Sequence, residues 1–594
     1  MKDYTKLNGI RLYNSFLSGY DNLLKQKNYL NEINVFPVAD GDTGSNMVST
    51  FYSTIQAEKI SDSLSQTLNS IADKALSGAR GNSGIIVAQF INGLAYECSE
   101  KDVMTTFEFG SALRNAAKST YNSLEDPKEG TLLTILRVWS EEMYILGQAI
   151  HNFNDLFIKS ITSARTALKK TKEQLSVLKK AGVIDAGASG FVSFLEGIAG
   201  MISTGIVPAQ KTVIQELHDE DEKTLHDIPV SDKEILFRYC TEALMLRESS
   251  DEITREKLNP YGDSLIISRG RNKTKIHIHT NNPSAVFLIL KDYGAIIEQK
   301  VDDMLLQYNA VHNPLSETAI VTDSIADIPR ELIDRYQIHV IPQKIIWGKN
   351  EYLDRITITG ETFYPYLNSH QEYPTSSAPD PLRVEQTFEW LASHYRSIIA
   401  IPVAKVQSGT WQVMKNSISR LREKGYPATV IDSRLNSAAE GLAVISAAEH
   451  ATAGMAYDEI LRNLESTLEK ARIYVSVATF KYMVRGGRVS ALKGFIANVI
   501  NLKPVITLNA EGRGTAHSTS FSRTASLKKI LKNAAKNRDS ISRYAVVHAG
   551  VPAQAEIFAE KLTEATGKKP EYIMEISPVV GIHAGIGALA VAWI

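Results

Sequence analysis

The chain has 594 residues, room for three or four domains at roughly 150 residues each. Its 65 basic and 66 acidic residues nearly cancel, which excludes the electrostatic footprint of a nucleic-acid binder, and a hydrophobic content of 44% supplies several cores. Only Cys98 and Cys240 are present, so no disulfide framework exists.

The N-terminal MKDYTKLNGIRLYN is too polar for the apolar region of a signal peptide. The runs MISTGIVPA and GALAVAWI fall short of the about 20 apolar residues that cross a bilayer. The expectation is a cytoplasmic protein with no transmembrane segment. The N-terminal third reads as helices. Asn154 is the expected N-cap of DLFIKSITSARTALKKTKEQLSVLKK, with Gly182 as its C-terminal glycine and Lys179 and Lys180 complementing the dipole of the last turn. Three polar stretches, 40-DGDTGSN-46, 81-GNSG-84 and 185-DAGASG-190, should be loops or helix starts. PAQKTVIQELHDEDEKTLHD reads as a linker. Beyond it, 263-DSLIIS-268 and 275-KIHIHT-280 read as strands, with RGRNK turning a hairpin between them. A break follows at 313-NPLSE-317.

From Thr318 strands and helices alternate. TAIVTDS, IHVIPQKIIW, SIIAIPVA, ATVIDS, IYVSVA, PVITLN, YAVVHAG and EYIMEIS are strand-like, and EILRNLESTLEKA, ASLKKILKNAAK and AQAEIFAEKLTEATG are helical. That alternation predicts α/β layers with a largely parallel sheet.

Asp40 and Asp42 lie two apart in a Gly-punctuated loop, so both carboxylates can converge on one hard cation such as Mg²⁺, which shares its remaining positions with phosphate oxygens and water. Asn46 can add an amide contact. An Asp-Gly turn is the plainer alternative. An EF-hand fails, with Gly44 at its fifth position and Phe51 at its twelfth, and the Asp-Thr-Gly of an aspartic protease lacks its second copy.

These loops, with 129-EGTLLT-134, resemble the L-type nucleotide-binding domain of the dihydroxyacetone kinase family. The resemblance implies an all-α helical barrel holding ATP and Mg²⁺. Asp40 and Asp42 would then hold metal. Asn46, Asn82, Ser83 and Thr131 would contact nucleotide, while Gly81 and Gly84 let backbone amides approach phosphate at a helix start. Asn34 stands near where many relatives carry a further acidic ligand, and Asp185 reads as a site residue or a helix cap.

The segments 238-RYCTEALM-245 and 275-KIHIHTNNP-283 resemble the middle domain of bacterial fatty acid kinase, which implies a small α/β domain. His277 and His279 share one strand face, and with Cys240 they give three candidate Zn²⁺ ligands. The alternative is a hydrogen-bonded histidine pair beside an ordinary buried cysteine.

The last segment resembles the DegV family through 322-TDSIADIP-329, 374-PTSSAP-379, 407-QSGTWQ-412, 432-DSRLNS-437, 482-YMVRGGRVS-490 and 577-SPVVGIHAGIGALA-590. That implies a two-lobed α/β domain holding one fatty acid, its tail buried and its carboxylate at the lobe junction. Ser376, Ser377, Ser408 and His583 would donate to the carboxylate, and Arg485 or Arg488 would supply positive charge. Any one of these Ser residues could equally make a turn or cap. GIGALA is no dinucleotide fingerprint, since no helix and acidic partner follow it.

The expected organisation is therefore a multidomain chain: 1–208 the ATP-binding barrel, 209–313 the middle domain and 318–594 the lipid domain. The expected activity is phosphorylation of a bound fatty acid to acyl phosphate, with Asp40, Asp42 and Arg488 at the reacting end. A homodimer and transient membrane contact for lipid exchange go with it, and no nucleic acid. The rivals are a dihydroxyacetone-type kinase and a non-catalytic lipid-binding regulator.

Overall fold

A computed structural model describes residues 4–36, 41–124, 126–208, 235–247, 253–369, 372–486 and 503–594. The expected linker, together with Asp40 and Arg488, lies outside them. The chain divides into two compact units, Met1–Asn282 with Ile289–Tyr308, and Pro283–Leu288 with Asn309–Ile594.

The first unit begins with ten helices: α1 (Gly9–Leu24), α2 (Lys27–Glu32), α3 (Thr43–Ile55), α4 (Leu64–Gly78), α5 (Gly81–Glu97), α6 (Thr106–Asn122), α7 (Leu132–Gly147), α8 (Phe153–Gln174), α9 (Ser176–Ala181) and α10 (Ala186–Thr204). Local chemistry sets their starts. Asn8, Ser63, Thr131 and Asp185 cap α1, α4, α7 and α10, and Thr105 with Glu108 makes a reciprocal capping box on α6. The helix expected to start after Asn154 is capped instead by Asn152, which accepts from the Asn154 amide. Extended backbone at Leu175 splits it in two, and Gly182, at φ +73°, ends the second piece as expected.

Helices α4 to α8 pack in chain order; α10 then packs on α8 and returns to α1, which packs on α4, closing the ring. Its interior is apolar, with Phe51 stacked on Phe194 at 4.2 Å between ring centroids. Helix α10 has the length and composition to cross a membrane, yet 61% of its apolar window is buried here, as a core helix requires.

Next come strands β1 (Tyr239–Arg247), β2 (Gly262–Arg269), β3 (Lys273–Thr280) and β4 (Gly294–Asp303), an antiparallel sheet in the order β2-β3-β1-β4 that contains the expected hairpin.

The second unit has two lobes. One holds the parallel sheet of β5 (Thr318–Asp323), β6 (His339–Ile341), β10 (Ser397–Ala400) and β11 (Ala428–Val430), ordered β11-β10-β5-β6. A small antiparallel sheet of β7 (Lys344–Trp347), β8 (Asn350–Leu353) and β9 (Thr375–Ser377) accompanies it. The other lobe orders β14-β13-β12-β17-β15-β16 from β12 (Arg472–Ser476), β13 (Val505–Leu508), β14 (Gly514–Ser518), β15 (Tyr544–His548), β16 (Ile573–Glu575) and β17 (Leu589–Trp593). The expectation of a largely parallel sheet holds for the first lobe only. In the second, β17 inserts antiparallel between β12 and β15, and only the β15–β16 pair is parallel. All eight expected strand segments are present.

Candidate functional site

Two sites emerge, one in each unit. In the first, the expected loops are helix starts. Asp42 stands at the N-cap position of α3 but its side chain makes no cap hydrogen bond, and it lines a cleft with Asn46, Gly81, Asn82 and Ser83. Gly81, at φ +60°, begins α5 against the Asn46 side chain; a Cβ there would lie 2.6 Å from Asn46 Nδ2. Helix α10 begins close by, and a Cβ on Gly187 would fall 2.3 Å from Ser83 Oγ. Buried Asp185 caps α10 through the Ala188 amide at 2.7 Å and also accepts from Leu132, the first residue of α7; desolvation raises its pKa to about 6. The starts of α3, α5, α7 and α10 thus lie close together, aiming backbone donors and positive dipole ends at one region.

Thr131 caps α7, accepting from the Leu133 amide and donating to the Lys128 carbonyl; it does not line the cleft. Gly84 lies one turn inside α5, packed on Thr50. Buried Asn34 accepts from Thr43 Oγ1 at 2.7 Å, so it anchors the start of α3.

The opposite wall of the cleft is one face of the four-stranded sheet. Period-two alternation and register place Cys240 beside His279 and Asp302, and Glu242 beside His277 and Lys300. Cys240, His277, His279 and Asp302 all line the cleft, which joins the expected middle-domain cluster to the expected nucleotide loops. Ligand atoms of Cys240, His277 and His279 lie within 4.8 Å of one another, with Cys240 Sγ 3.8 Å from His277 Nδ1. His277 is fully buried, and its Nε2 has no hydrogen-bond partner among the described residues. Burial lowers its pKa, holding the imidazole neutral as a metal ligand must be. Burial first, then the charges of Glu242 and Asp302, push the Cys240 thiol well up. Asp263 Oδ1 lies 3.5 Å from His279 Nδ1, an orienting carboxylate of the sort that accompanies metal-bound histidine. This donor set fits zinc: one sulfur, two imidazoles and a carboxylate in reach. For Mg²⁺ the described residues present Asp42 and Asp302, and Asp40 stands outside them.

Sequence reasoning did not find Asp302, Glu242 or Lys275. All three obey the alternation that exposed the two histidines, but alternating polar residues look the same whether they face water or another domain.

In the second unit a cavity of about 360 Å³ is lined by both polar and apolar residues. Ile473, Val475, Ile506, Val547 and Leu589 give apolar lining, and Ser376, Ser377, Ser408, His583 and Gln343 are among its polar lining. Four of the expected binding residues therefore share one cavity. Ser408 Oγ is 2.8 Å from Thr410 Oγ1, which accepts from Gln343 Nε2 at 2.7 Å, so the hydroxyl is pre-oriented. Arg485 is not among the lining residues; it is exposed and stacks over the Tyr373 ring at 5.4 Å. Among the described residues, the cation that lines the cavity is Arg513, in the turn between β13 and β14, a residue that no sequence motif singled out.

The second unit also buries four carboxyl groups, Asp323, Asp327, Asp354 and Glu440. Asp327 pairs with Arg355 and accepts from the Ser577 amide at 2.7 Å, and Asp354 accepts from Ser324 Oγ at 2.6 Å and the Val579 amide at 3.2 Å. These bonds stitch the 578–584 helix, which carries His583, to the first lobe.

Comparison with known proteins matches three stretches of the chain. Family models match residues 37–200 as a DAK2 domain, 236–311 as the FakA-like middle domain of fatty acid kinase, and 317–594 as the DegV family, described as uncharacterised. The chain is 30% identical to Protein YloV of Bacillus subtilis over 324 residues, 53% of this chain and 58% of that one. It is 29% identical over 352 residues to an uncharacterised protein of Staphylococcus epidermidis, 55% of this chain and 63% of that one. It thus spans about three fifths of the curated relatives it matches. A solved structure titled DegV, a fatty acid binding protein from Bacillus subtilis, is 27% identical, with TM-score 0.44, covering 47% of this chain and 99% of that one. A fatty-acid-binding DegV family protein of Thermus thermophilus is 25% identical, with TM-score 0.43, covering 46% of this chain and 99% of that one.

The chain thus carries, in order, a helical domain of a kinase-type family, a small sheet-containing domain and a two-lobed α/β domain. More particularly, it joins a DAK2 domain and a FakA-like middle domain to a C-terminal DegV domain.

Proposed function

We propose that the chain phosphorylates a fatty acid held in its second unit, using ATP bound in its first. The observation that carries this reading is the 360 Å³ cavity, lined by apolar side chains together with serine hydroxyls, His583 and Arg513, in a chain that also gathers helix starts and Asp42 around a cleft. A carboxylate buried in that cavity needs donors to replace water, and Ser376, Ser377, Ser408 and His583 are the donors available. Arg513 takes the role first given to Arg485, supplying charge to the carboxylate, while Arg488 orients it toward transfer.

In the cleft, Asp40 and Asp42 would hold Mg²⁺, which supplies charge neutralisation on the phosphates; Cys240, His277 and His279 would hold Zn²⁺. Asn46, Asn82 and Ser83 contact nucleotide from the cleft wall, Thr131, outside that lining, acts only by capping α7, and the α5 start from Asn82 through Gly84 offers amides to phosphate. No general base is required, because a carboxylic acid with an ordinary pKa of about 4 to 5 is already ionised near neutrality. The residues therefore act by positioning and by countering charge in line between carboxylate and γ-phosphate.

The cleft as it stands measures about 50 Å³, well below a nucleotide-sized site, so binding must widen it. That feature is what favours the second reading, a lipid-binding regulator without turnover.

The test is to identify lipid extracted from the purified chain by mass spectrometry, then supply ATP, Mg²⁺ and oleate and trap acyl phosphate as hydroxamate. Lipid and hydroxamate together, with hydroxamate lost in Asp42→Ala, establish the reading. Lipid without hydroxamate leaves the regulator, and phosphorylation of dihydroxyacetone instead of oleate overturns the assignment.

A further inference from the structure

The start of α5 carries an unexpected partner. Arg80 occupies its N-cap position and its side chain makes no cap hydrogen bond. The amide of Gly81, the first residue of the helix, instead donates to Glu242 Oε1 at 2.7 Å. Glu242 is on β1, 161 residues along the chain, and its side chain is fully buried. A buried carboxylate is tolerated only when its charge is met, and here Lys275 Nζ stands 3.1 Å from Glu242 Oε2 with its own side chain only 1% exposed. Arg80 Nη1 is 3.7 Å from the same oxygen, and Arg80 also pairs with Glu298 at 2.6 Å.

We infer that Glu242 is a positioning residue for the phosphate loop: by fixing the Gly81 amide at φ +60° it aims the amides of Asn82 and Ser83 into the cleft, with Lys275 holding the carboxylate in place. This rests on the nucleotide site proposed above and adds that the site is incomplete without the sheet. Glu242 takes one helix-start donor out of use for phosphate. In exchange the loop is held in its binding shape before nucleotide arrives, so less of the binding free energy is spent on ordering. Because Glu242 also lies beside His277, two residues from Cys240, a shift of that strand moves both walls of the cleft together.

The experiment measures MgATP affinity by calorimetry on the full chain, which needs no fatty acid. Glu242→Gln keeps an acceptor oxygen for Gly81 but strands Lys275; Glu242→Gln with Lys275→Met keeps the acceptor and removes the stranded charge; Glu242→Ala with Lys275→Met removes both. All are compared at matched thermal stability. The expected result is near-native affinity for the Gln/Met pair and a Kd raised roughly tenfold or more for the Ala/Met pair, the size of a lost hydrogen bond to a charged group. Equal affinity of the Ala/Met and Gln/Met chains, with the wild type binding MgATP, overturns the role of Glu242 alone. A wild-type chain that binds no MgATP overturns the nucleotide reading itself, and this inference with it.

Discussion

Asp354 and Asp323 are fully buried, and desolvation raises their pKa values to about 7 and about 6. A carboxyl whose folded pKa exceeds its unfolded value of about 3.9 binds its proton more tightly when folded. The stability it contributes is fully present below about pH 4 and is lost as pH rises through the folded value, at most about 1.4 kcal/mol per pH unit for each group. Asp354→Asn, which mimics the protonated acid, should therefore gain on the wild type as pH rises from 5 to 8. Thermal melts across that range check this, and a difference that stays flat would mean Asp354 is ionised when folded. At the same scale, Ser408→Ala removes the hydroxyl that Thr410 and Gln343 orient. Fatty acid affinity should fall roughly tenfold, read by displacement of a fluorescent fatty acid, while MgATP affinity stays unchanged.

Close helix approaches carry the element-scale argument. A Cβ on Gly44 would lie 2.1 Å from the Lys27 carbonyl, and one on Gly187 would lie 2.3 Å from Ser83 Oγ. Gly44→Ala pushes against backbone and should cost about 1–3 kcal/mol in denaturant unfolding. Gly187→Ala pushes against a side chain that can turn away, so its stability cost should be smaller and its effect on nucleotide affinity larger. The polar stretches at 40–46, 81–84 and 185–190 were readable in the sequence as places where chemistry gathers, because Gly, Asp and Asn are poor in helix interiors and good at helix starts. Strand segments were readable too, from β-branched runs. Pairing direction was not, and β17 itself was missed, its residues having read only as the short apolar run GALAVAWI; only the assembled sheet shows it as a strand antiparallel to β12. Orientation was equally hidden for Arg485, which belongs to the right motif but turns outward over Tyr373, and for Arg513, which sits in an ordinary-looking turn.

At the scale of the whole molecule, residues 313–317 join the helix Met304–His312 to β5. Such a tether extends at most about 3.5 Å per residue, which under the proposed acyl transfer limits how far a bound acyl group could be carried on it. If delivery runs between the chains of a homodimer, mixing an Asp42→Ala chain with a Ser408→Ala chain, at oleate too dilute to load the Ser408→Ala chain, should restore acyl phosphate formation to about a quarter to a half of wild type, since mixed dimers retain one intact pair of sites. No recovery, with dimers present by light scattering, would place transfer within one chain.

The position of β17 has a consequence for how the protein is made. It follows every other strand of its sheet in chain order yet lies at the centre, between β12 and β15, and its Leu589 and Ala590 form part of the cavity wall. On the ribosome the helical ring can close long before this strand is synthesised. Until residue 593 has emerged, β12 and β15 present bare edges and the cavity lacks a wall. A nascent chain thus completes its helical ring first, and the cavity of its second unit closes only after translation has passed its central strand.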